Sequence, residues 1–473
     1  MTWVVFGVIL YIFQLLTIVI IENKHPSKTV AWLIISFCVP IVGFVLYYFM
    51  AQDYTARRRV RKRWFVENMV EKLQIVHIVK KAQELRNTEL HSQERLFELI
   101  SSLSESPITG NNKTEVLTNG RATYDAIFEA IRAAKHHVHV EFYILKDDVI
   151  GRMFQKLLIE KAKEGVKVRV IADGVGSIEL KRSYLKRFEE AGVEFHWFLP
   201  LWVSFFRRRL NYRNHRKIVV VDGKVGFVGG INIGDEYLGG DPKTGFWRDT
   251  HLKIEGDSVY VLQVVFLHDW AFTTKQRLLS RELFPPQDLV GDEQVKIVAS
   301  GPDTSWDAIQ ELYFGALNHA KDRVWIITPY FIPDPGNMLA LKTAAVSGID
   351  VRIIIPHKSD SKIVDWACRS YIEELLQSGV RFYEYYRGFP HAKAMIMDRS
   401  IACVGTANMD MRSFFYNFEL NALMFDEQAI DRLEQDFMQD FEDSKEMDYK
   451  QFMERSKLQR GLEALFRLLS PLL

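Results

Sequence analysis

Apolar residues are unevenly distributed along the chain, and two long runs of them stand near its beginning. Trp3–Ile21 is almost unbroken, with Gln14 and Thr17 as its only clearly polar members, and Val30–Met50 is a second run. Each run has about twenty residues, the length of helix that crosses the hydrocarbon core of a bilayer. No Lys or Arg precedes the first run and no small-residue cleavage site follows it, which disfavours a signal peptide. We therefore expect two transmembrane helices, over residues 1–22 and 30–50.

A basic cluster follows the second run and sets the expected orientation. The short connection between the runs holds only Lys24 and Lys28, offset by Glu22. The positive-inside rule therefore places the cluster and the N-terminus in the cytoplasm. The cluster also suits anionic headgroups, at about 1 kcal/mol per basic residue near the surface. We interpret residues 51–110 as a basic linker with an amphipathic helix over Trp64–Lys81, its cluster being Arg57, Arg58, Arg59, Arg61, Lys62 and Arg63.

From about residue 110 onward, segments with helical and strand patterns alternate, which is typical of an α/β fold. The first helical segments are Tyr124–Lys135 and Met153–Glu164, each followed by a β-rich run. Three short segments recur in the same order roughly 180 residues later, which indicates two copies of one α/β unit. The matching pairs are 134–140 with 320–326, 165–171 with 348–354, and 191–195 with 378–382.

Each copy ends in the same polar motif, H-x-K-x4-D followed by G-x-x-N. Histidine and lysine stand two apart at the start of a strand, so their side chains share a face. The Asp-Gly pair of the first copy is a hairpin signal, and the returning strand brings the asparagine back beside them. The motif residues are His215, Lys217, Asp222 and Asn232 in the first copy and His391, Lys393, Asp398 and Asn408 in the second.

Two imidazoles, two ammonium groups and two amides suit phosphoryl transfer without a metal. One histidine attacks phosphorus and the other protonates the leaving alkoxide. The lysines and asparagines hold the non-bridging oxygens. Asp222 and Asp398 are assigned to the catalytic set, although capping of the hairpin is an equal alternative for both.

Each histidine also needs a partner that orients its second ring nitrogen. Asp249 and Glu419 stand at comparable places after the two motifs and are the candidates. The alternative for these two carboxylates is a surface salt bridge.

The paired motifs resemble those of the phospholipase D superfamily, over about residues 110 to 450. The resemblance implies two α/β/α halves related by a pseudo-twofold axis, a site in the cleft between them, a phosphohistidine intermediate and no metal or other cofactor. We place the halves at residues 111–285 and 286–473.

The two apolar runs resemble the N-terminal region of bacterial cardiolipin synthases. The second run opens with Lys28–Trp32 and contains Pro40 and Gly43. This narrower resemblance implies transfer of a phosphatidyl group from one phosphatidylglycerol to another, with release of glycerol. By this analogy His215 is the nucleophile and His391 the acid and then the base, although the near-symmetric motifs leave the reverse order open. It also implies a multi-pass protein of the bacterial cytoplasmic membrane with its catalytic domain in the cytoplasm.

Several alternatives remain beside this interpretation. A hydrolytic phospholipase D and a phosphatidylserine synthase use the same residues and differ only in the acceptor. A nuclease is disfavoured because the net charge is only +1, so we expect no nucleic-acid partner. A lipid-binding scaffold would not need two intact motifs. The three cysteines lack the spacing of a zinc site or a disulfide framework, and an oligomer is left open.

Two further segments suit a lipid substrate. An apolar stretch ahead of the first motif is followed by arginines, which predicts a lip that enters the bilayer interface. The alternative is a core strand with a solvated basic turn. Residues 457–473 form an amphipathic helix that lies either on the membrane or on the protein body. The lip candidates are Trp202, Phe205, Arg207, Arg208, Arg209 and Arg213.

Overall fold

The computed structural model describes residues 2–21, 26–50, 94–104, 106–201, 204, 211–240, 245–304 and 306–473. The basic cluster after residue 50 and the helix predicted over Trp64–Lys81 lie outside these ranges. So do five of the six lip candidates, namely all except Arg213.

Three helices form the N-terminal region: α1 (Thr2–Ile21), α2 (Pro26–Cys38) and α3 (Pro40–Met50). The prediction of one helix over residues 30–50 is wrong, because Pro40 has no N–H for the carbonyl of Ser36 and ends α2. That carbonyl accepts a hydrogen bond from the Tyr11 hydroxyl of α1 instead, at 3.1 Å. Helix α3 packs closely on α2, since a Cβ on Gly43 would lie 2.6 Å from the Cα of Ser36. Within the described ranges, no helix has both the length and the apolar character that a membrane crossing requires.

The first half begins after the short helix α4 (Glu94–Ser102). Its strands are β1 (Ile108–Thr118), β2 (His137–Phe142), β3 (Lys167–Asp173), β4 (Glu194–Phe198), β5 (Ile218–Val221), β6 (Val225–Gly229), β7 (Phe246–Arg248) and β8 (Thr250–Gly256). Its helices are α5 (Asn119–Ala133), α6 (Val149–Lys163), α7 (Arg182–Glu190) and α8 (Ser258–Thr274), with 3₁₀ turns at Asp235–Leu238 and Arg281–Leu283.

The second half repeats this order. Its strands are β9 (Glu293–Ser300), β10 (Arg323–Ile327), β11 (Phe331–Ile332), β12 (Asp350–Pro356), β13 (Arg381–Tyr385), β14 (Gly388–Pro390), β15 (Ala394–Met397), β16 (Ile401–Gly405), β17 (Met409–Asp410), β18 (Glu419–Met424) and β19 (Ser444–Glu446). Its helices are α9 (Ala308–His319), α10 (Pro335–Val346), α11 (Lys362–Gln377), α12 (Met411–Phe415), α13 (Glu427–Glu442), α14 (Tyr449–Met453) and α15 (Lys457–Arg467), with a final 3₁₀ turn at Ser470–Leu472.

Fifteen of the described strands form one continuous sheet. The halves meet where β1 and β9 pair antiparallel, with Ile108 opposite Lys296 and Thr109 opposite Val295. Read outward from this junction, the orders are β1-β8-β6-β5-β2-β3-β4 and β9-β18-β16-β15-β10-β12-β13. The same sequence of strands on both sides of an antiparallel junction confirms the predicted pair of α/β halves with pseudo-twofold symmetry.

Helices cover both faces of the sheet, which explains why the motif strands β5 and β15 are apolar at every position. In β5, Val219 and Val221 face the core under α5, α6 and α7. The alternate residues, Ile218 and Val220, belong to the core that includes side chains of α8 and α13. Helix α15 lies on the protein body, where Phe466 stacks on Trp366 of α11 with ring centroids 5.0 Å apart.

Candidate active site

The two histidine–lysine pairs stand directly before the equivalent strands β5 and β15. Each lysine turns back to its own histidine, where Lys217 Nζ donates to the His215 carbonyl at 2.7 Å and Lys393 Nζ to the His391 carbonyl at 2.5 Å. Both lysines are buried, and the His215 and His391 side chains are only 12% and 10% exposed. Main-chain bonds therefore hold both ammonium groups in place beside the imidazoles.

The backbone of each histidine segment is bonded to the opposite half of the molecule. His215 donates its amide N–H to the carbonyl of Phe418 at 2.9 Å, and His391 donates its own to the carbonyl of Arg248 at 2.7 Å. Strand β14, just before His391, also pairs in parallel with β7, just before Asp249. These contacts place each histidine beside the acid of the other half.

The histidine–acid pairs are accordingly crossed between the halves. His215 Nδ1 lies 3.0 Å from both carboxylate oxygens of Glu419, and His391 Nδ1 lies 2.7 Å from Asp249 Oδ2. Both carboxylates are fully buried. A carboxylate at Nδ1 fixes the proton there and leaves the Nε2 lone pair available for phosphorus or for a proton. The sequence identifies both acids as candidates, and the structure adds which histidine each one contacts.

The residue after the first glycine of G-x-x-N differs between the halves, and it contacts the acid in each. It is Thr406 beside Glu419 and Gly230 beside Asp249. In the second half, Thr406 Oγ1 donates to Glu419 at 2.5 Å and Asn417 Nδ2 donates at 3.2 Å. In the first half the equivalent residue is Gly230, where a Cβ would lie only 2.1 Å from Asp249 Oδ1. Thr406 is thus a site residue that the motif search missed, and its signal was the hydroxyl at the first variable position of G-x-x-N.

The first glycine of each G-x-x-N motif also has a structural reason. A Cβ on Gly229 would meet His251 Nδ1 at 2.6 Å, and one on Gly405 would meet Asn421 Oδ1 at 2.1 Å. His251 and Asn421 are fully buried and follow Asp249 and Glu419 by two residues on the neighbouring strands. The glycines therefore leave room for a polar layer under the paired acids.

The buried charges shift the titration of the histidines and lysines. Burial lowers the pKa of His215 to about 4, with Glu419 opposing the shift. Burial, Lys393, Lys217 and His215 all lower the pKa of His391. Burial lowers the pKa of Lys217 to about 7 and that of Lys393 to about 8. Both imidazoles are thus neutral at pH 7 in the free site, and a bound phosphodiester anion favours renewed protonation of one of them.

The two acids titrate differently. Burial raises the pKa of Asp249 to about 6, with Lys393 opposing it. Burial also raises the pKa of Glu419, but His215, Lys217 and Thr406 outweigh it and hold the pKa below the ordinary value. Glu419 is therefore the more firmly ionised partner at neutral pH.

We expect kcat/KM to fall as the pH rises through about 7 to 8, because the lysine pKa values of about 7 and 8 belong to the free site. Deprotonation there removes the charge that attracts a phosphodiester. The alkaline decline of kcat should begin at higher pH, since the bound anion raises both pKa values. A pH series of initial rates with Lys217→Arg as comparison tests this, because arginine stays charged. Equal alkaline limits for kcat/KM and kcat would contradict it.

The catalytic assignment of Asp222 and Asp398 is corrected to a structural one. Both stand at hairpin turns with positive φ, 53° and 51°. The Asp222 carboxylate accepts three backbone N–H groups, and Asp398 accepts the three equivalent ones in the second half. These bonds tie each hairpin to the start of β2 or β10. Asp222 and Asp398 therefore cap their hairpins, which is the alternative stated from the sequence, because backbone N–H groups occupy both carboxylates.

The two motif asparagines also have internal partners. Asn232 Nδ2 donates to the Tyr237 hydroxyl at 2.8 Å, and its oxygen accepts the Ile144 N–H at 3.1 Å. Asn408 Nδ2 donates to Asp410 at 3.0 Å, and its buried oxygen has no hydrogen-bond partner in the described part of the chain. Their contact with phosphate stays a prediction.

Arg213 does not belong to the predicted lip. Its side chain is 3% exposed, and its guanidinium Nη1 lies 3.4 Å from the fully buried carboxylate of Asp173. It also donates to Ser204 Oγ at 2.9 Å and to the Leu199 carbonyl at 3.2 Å. The sequence pattern of clustered arginines gave no sign that this one has a buried acid as its partner.

Two buried arginines of the first half join the crossed pairs to the second half. Arg216 donates from Nε to the Glu419 carbonyl at 3.1 Å and pairs with buried Asp269. Arg248 donates from Nε to Asp440 at 2.8 Å and from Nη1 to the carbonyl of Asp249 at 2.6 Å. Each arginine therefore fixes the backbone of one of the two acids.

Comparisons with known proteins identify the family to which the chain belongs. The model for the cardiolipin synthase, PLD-like domain matches residues 127–269 and 313–441, and that for the phospholipase D-nuclease N-terminal region matches residues 9–52. The cardiolipin synthase of Halalkalibacterium halodurans is 44% identical over 96% of this chain and 91% of its own length. Cardiolipin synthase 2 of Bacillus cereus is 45% identical over 96% and 89%. The chain belongs to the cardiolipin synthase family of the phospholipase D superfamily.

The two segments that match the cardiolipin synthase domain model contain both crossed pairs. His215 and Asp249 lie in residues 127–269, and His391 and Glu419 lie in residues 313–441. Among solved structures, phosphatidylserine synthase of Haemophilus influenzae has a TM-score of 0.63 and covers 80% of this chain and 100% of its own. Its sequence identity is 15%, so it shows that the two-half fold of the family is shared and nothing further.

Proposed function

We propose that the protein is a cardiolipin synthase that transfers a phosphatidyl group from one phosphatidylglycerol to another. The observation that carries the proposal is the crossed arrangement of two histidine–carboxylate pairs, with one lysine beside each histidine. Family membership, with relatives about 44% identical over nearly the whole chain, supports the acceptor and the phospholipid substrate.

The first step uses His215 as the nucleophile. Its Nε2 attacks phosphorus, and the bond from phosphorus to the oxygen of the headgroup glycerol breaks. His391, which takes up a proton on Nε2 when the phosphodiester binds, gives that proton to the leaving alkoxide. Lys217 and Lys393 stabilise the non-bridging oxygens. Glu419 supports this order, because a firmly ionised carboxylate at Nδ1 stabilises the positive charge that His215 gains when Nε2 binds phosphorus.

In the second step His391 acts as the base. It removes the proton from the terminal hydroxyl of a second phosphatidylglycerol, whose oxygen attacks the phosphatidyl-histidine. The bond from nitrogen to phosphorus breaks, His215 is regenerated, and cardiolipin leaves.

The test supplies phosphatidylglycerol as the only lipid to the purified protein in mixed micelles. We expect cardiolipin and glycerol in equal amounts. Phosphatidic acid as the main product would instead indicate a hydrolase, and product formation only after addition of serine would indicate a phosphatidylserine synthase.

We also infer that helices α1–α3 anchor the protein in the cytoplasmic membrane of a bacterium, with both catalytic halves in the cytoplasm. Apolar side chains on α1 and α3 support this, such as Phe13 and Ile41, which are 68% and 82% exposed. Residues 9–52 also match the phospholipase D-nuclease N-terminal family.

A thiol reagent that does not cross membranes should label Leu289→Cys only in inside-out vesicles of a Cys38→Ala background. Labelling in right-side-out vesicles would overturn the orientation.

A further inference from the structure

A groove of about 630 Å³ opens between the N-terminal helices and the second half. Its walls include α2, α10 and the segment after α15, together with the residues that follow β11 and β17. The volume falls within the range of roughly 300 to 1,000 Å³ that small-molecule sites occupy. Most of the lining side chains are apolar, including Val30, Pro333, Met338, Leu339, Met411 and Leu468.

The groove begins close to the second motif. Met411 follows Asn408 by three residues, and an extended chain of three residues reaches at most about 10 Å. Asp410, between them, accepts the side-chain N–H of Asn408 at 3.0 Å. The wall of the groove at Met411 therefore lies within about 10 Å of the second motif, a distance that an acyl chain can span from a phosphate bound between the two motifs.

The charged side chains at the groove already have protein partners. Lys342 Nζ lies 3.1 Å from Glu374, and the Arg467 guanidinium lies 4.4 Å from the ring centroid of Tyr371 while donating to the Ser370 carbonyl at 3.0 Å. An anionic headgroup would have to compete with these contacts. A hydrocarbon chain fits the remaining apolar lining without displacing any of them.

The surface around the groove also suits contact with lipid. Leu339 on α10 and Leu468 of the C-terminal segment both line the groove and are 60% and 41% exposed. Val30 of α2 closes the groove on its other side. The groove thus opens among exposed leucines, next to the helices that we assign to the membrane.

At the position equivalent to Met411, the described part of the first half has an acidic residue instead of an apolar one. There the residue three after the motif asparagine is Asp235, whose carboxylate accepts the N–H groups of Val149 and Ile150 at 3.1 and 2.8 Å. Next to it, Glu236 pairs with Lys146 at 2.8 Å. The two halves therefore differ here, with Met411 at the groove in the second half and Asp235 and Glu236 engaged in hydrogen bonds and an ion pair in the first.

We propose that this groove holds one acyl chain of the phospholipid substrate next to the catalytic site. The inference rests on the proposed phosphatidyl transfer and adds where the apolar part of that substrate binds. Each methylene removed from water contributes about fourfold to affinity, so the chain length should affect KM strongly.

Leu339→Trp tests the groove, because the larger ring would fill it from a position that is already exposed. Leu289→Trp is the matched control, since Leu289 is 83% exposed and lies on the connection between the halves. With dipalmitoyl phosphatidylglycerol in mixed micelles, KM of Leu339→Trp should rise about tenfold or more, the equivalent of roughly two buried methylenes. With the dihexanoyl lipid, KM should change far less, and the control variant should resemble the wild type with both lipids.

The outcomes separate the two proposals. If the wild type makes cardiolipin but Leu339→Trp raises KM equally for both lipids or for neither, the groove does not bind the chain. If the wild type makes no cardiolipin from either lipid, the proposed function itself fails. Photolabelling of the wild type with phosphatidylglycerol that carries a diazirine at the chain end gives a second measurement. Crosslinks should map to residues 333–342 and 467–471, and crosslinks found only in other segments would overturn the inference.

Discussion

Replacement of His215 by alanine should lower the rate of cardiolipin formation by about 10⁴-fold or more, as loss of a catalytic nucleophile does in other covalent enzymes. In the described site, His215 and His391 are the two imidazoles that a buried carboxylate orients. With His391 needed as the acid, no group is left to replace the nucleophile. The measurement is the initial rate with phosphatidylglycerol as the only lipid. Glu434→Gln is the control for handling and folding. Glu434 is partly exposed, and its ion pair in the described chain is with Arg323 at 2.6 Å, a residue outside the catalytic motifs.

A phosphatidyl ester of p-nitrophenol makes the roles of the two histidines separable. Its phenolate leaves without protonation, so the first step no longer needs an acid. His391→Ala should then release one equivalent of p-nitrophenol per protein in a burst and keep a phosphatidylated peptide that contains residue 215. His215→Ala should show no burst. A burst from His215→Ala with label on residue 391 would reverse the assignment of nucleophile and acid, whereas no burst from either variant would contradict the covalent intermediate.

The sequence predicts the fold and the motif residues because both depend on local pattern. Alternating strands and helices, repeated at a nearly constant offset, are enough to indicate two equivalent α/β halves. The expected alternation along a strand predicts His215 beside Lys217, although the structure begins β5 only at Ile218. The apolar pattern cannot predict the break of the second run, where Pro40 and the close packing at Gly43 convert one expected helix into two.

The contacts that the sequence cannot supply are those between the halves. Asp249 and Glu419 stand at equivalent places after their motifs. The sequence therefore does not indicate whether each acid contacts the histidine of its own half or that of the other half. The pairing depends on Phe418 and Arg248 binding the histidine segment of the opposite half through their carbonyls. Likewise, nothing in the arginine-rich segment distinguishes Arg213, and only the fold brings the buried Asp173 to it.

Removal of the charge from each acid tests the crossed pairing directly. Glu419→Gln and Asp249→Asn should each lower cardiolipin formation by about 10³- to 10⁴-fold, because an amide at Nδ1 neither fixes the required tautomer nor stabilises a positive ring. In the p-nitrophenol assay, however, the two variants should differ. Glu419→Gln should slow the burst itself, since Glu419 contacts His215, the proposed nucleophile. Asp249→Asn should mainly slow the turnover that follows the burst, since Asp249 contacts His391.

This difference cannot arise from a general loss of structure, because damage to the fold would slow both phases in both variants. It also depends on the crossing. If each acid served the histidine of its own half, Asp249→Asn would slow the burst and Glu419→Gln the later turnover. Once the labelled peptide has identified the nucleophile, the order of the two effects reports which half supplies its partner. It then shows whether one active site is assembled from both halves or each half aligns its own histidine.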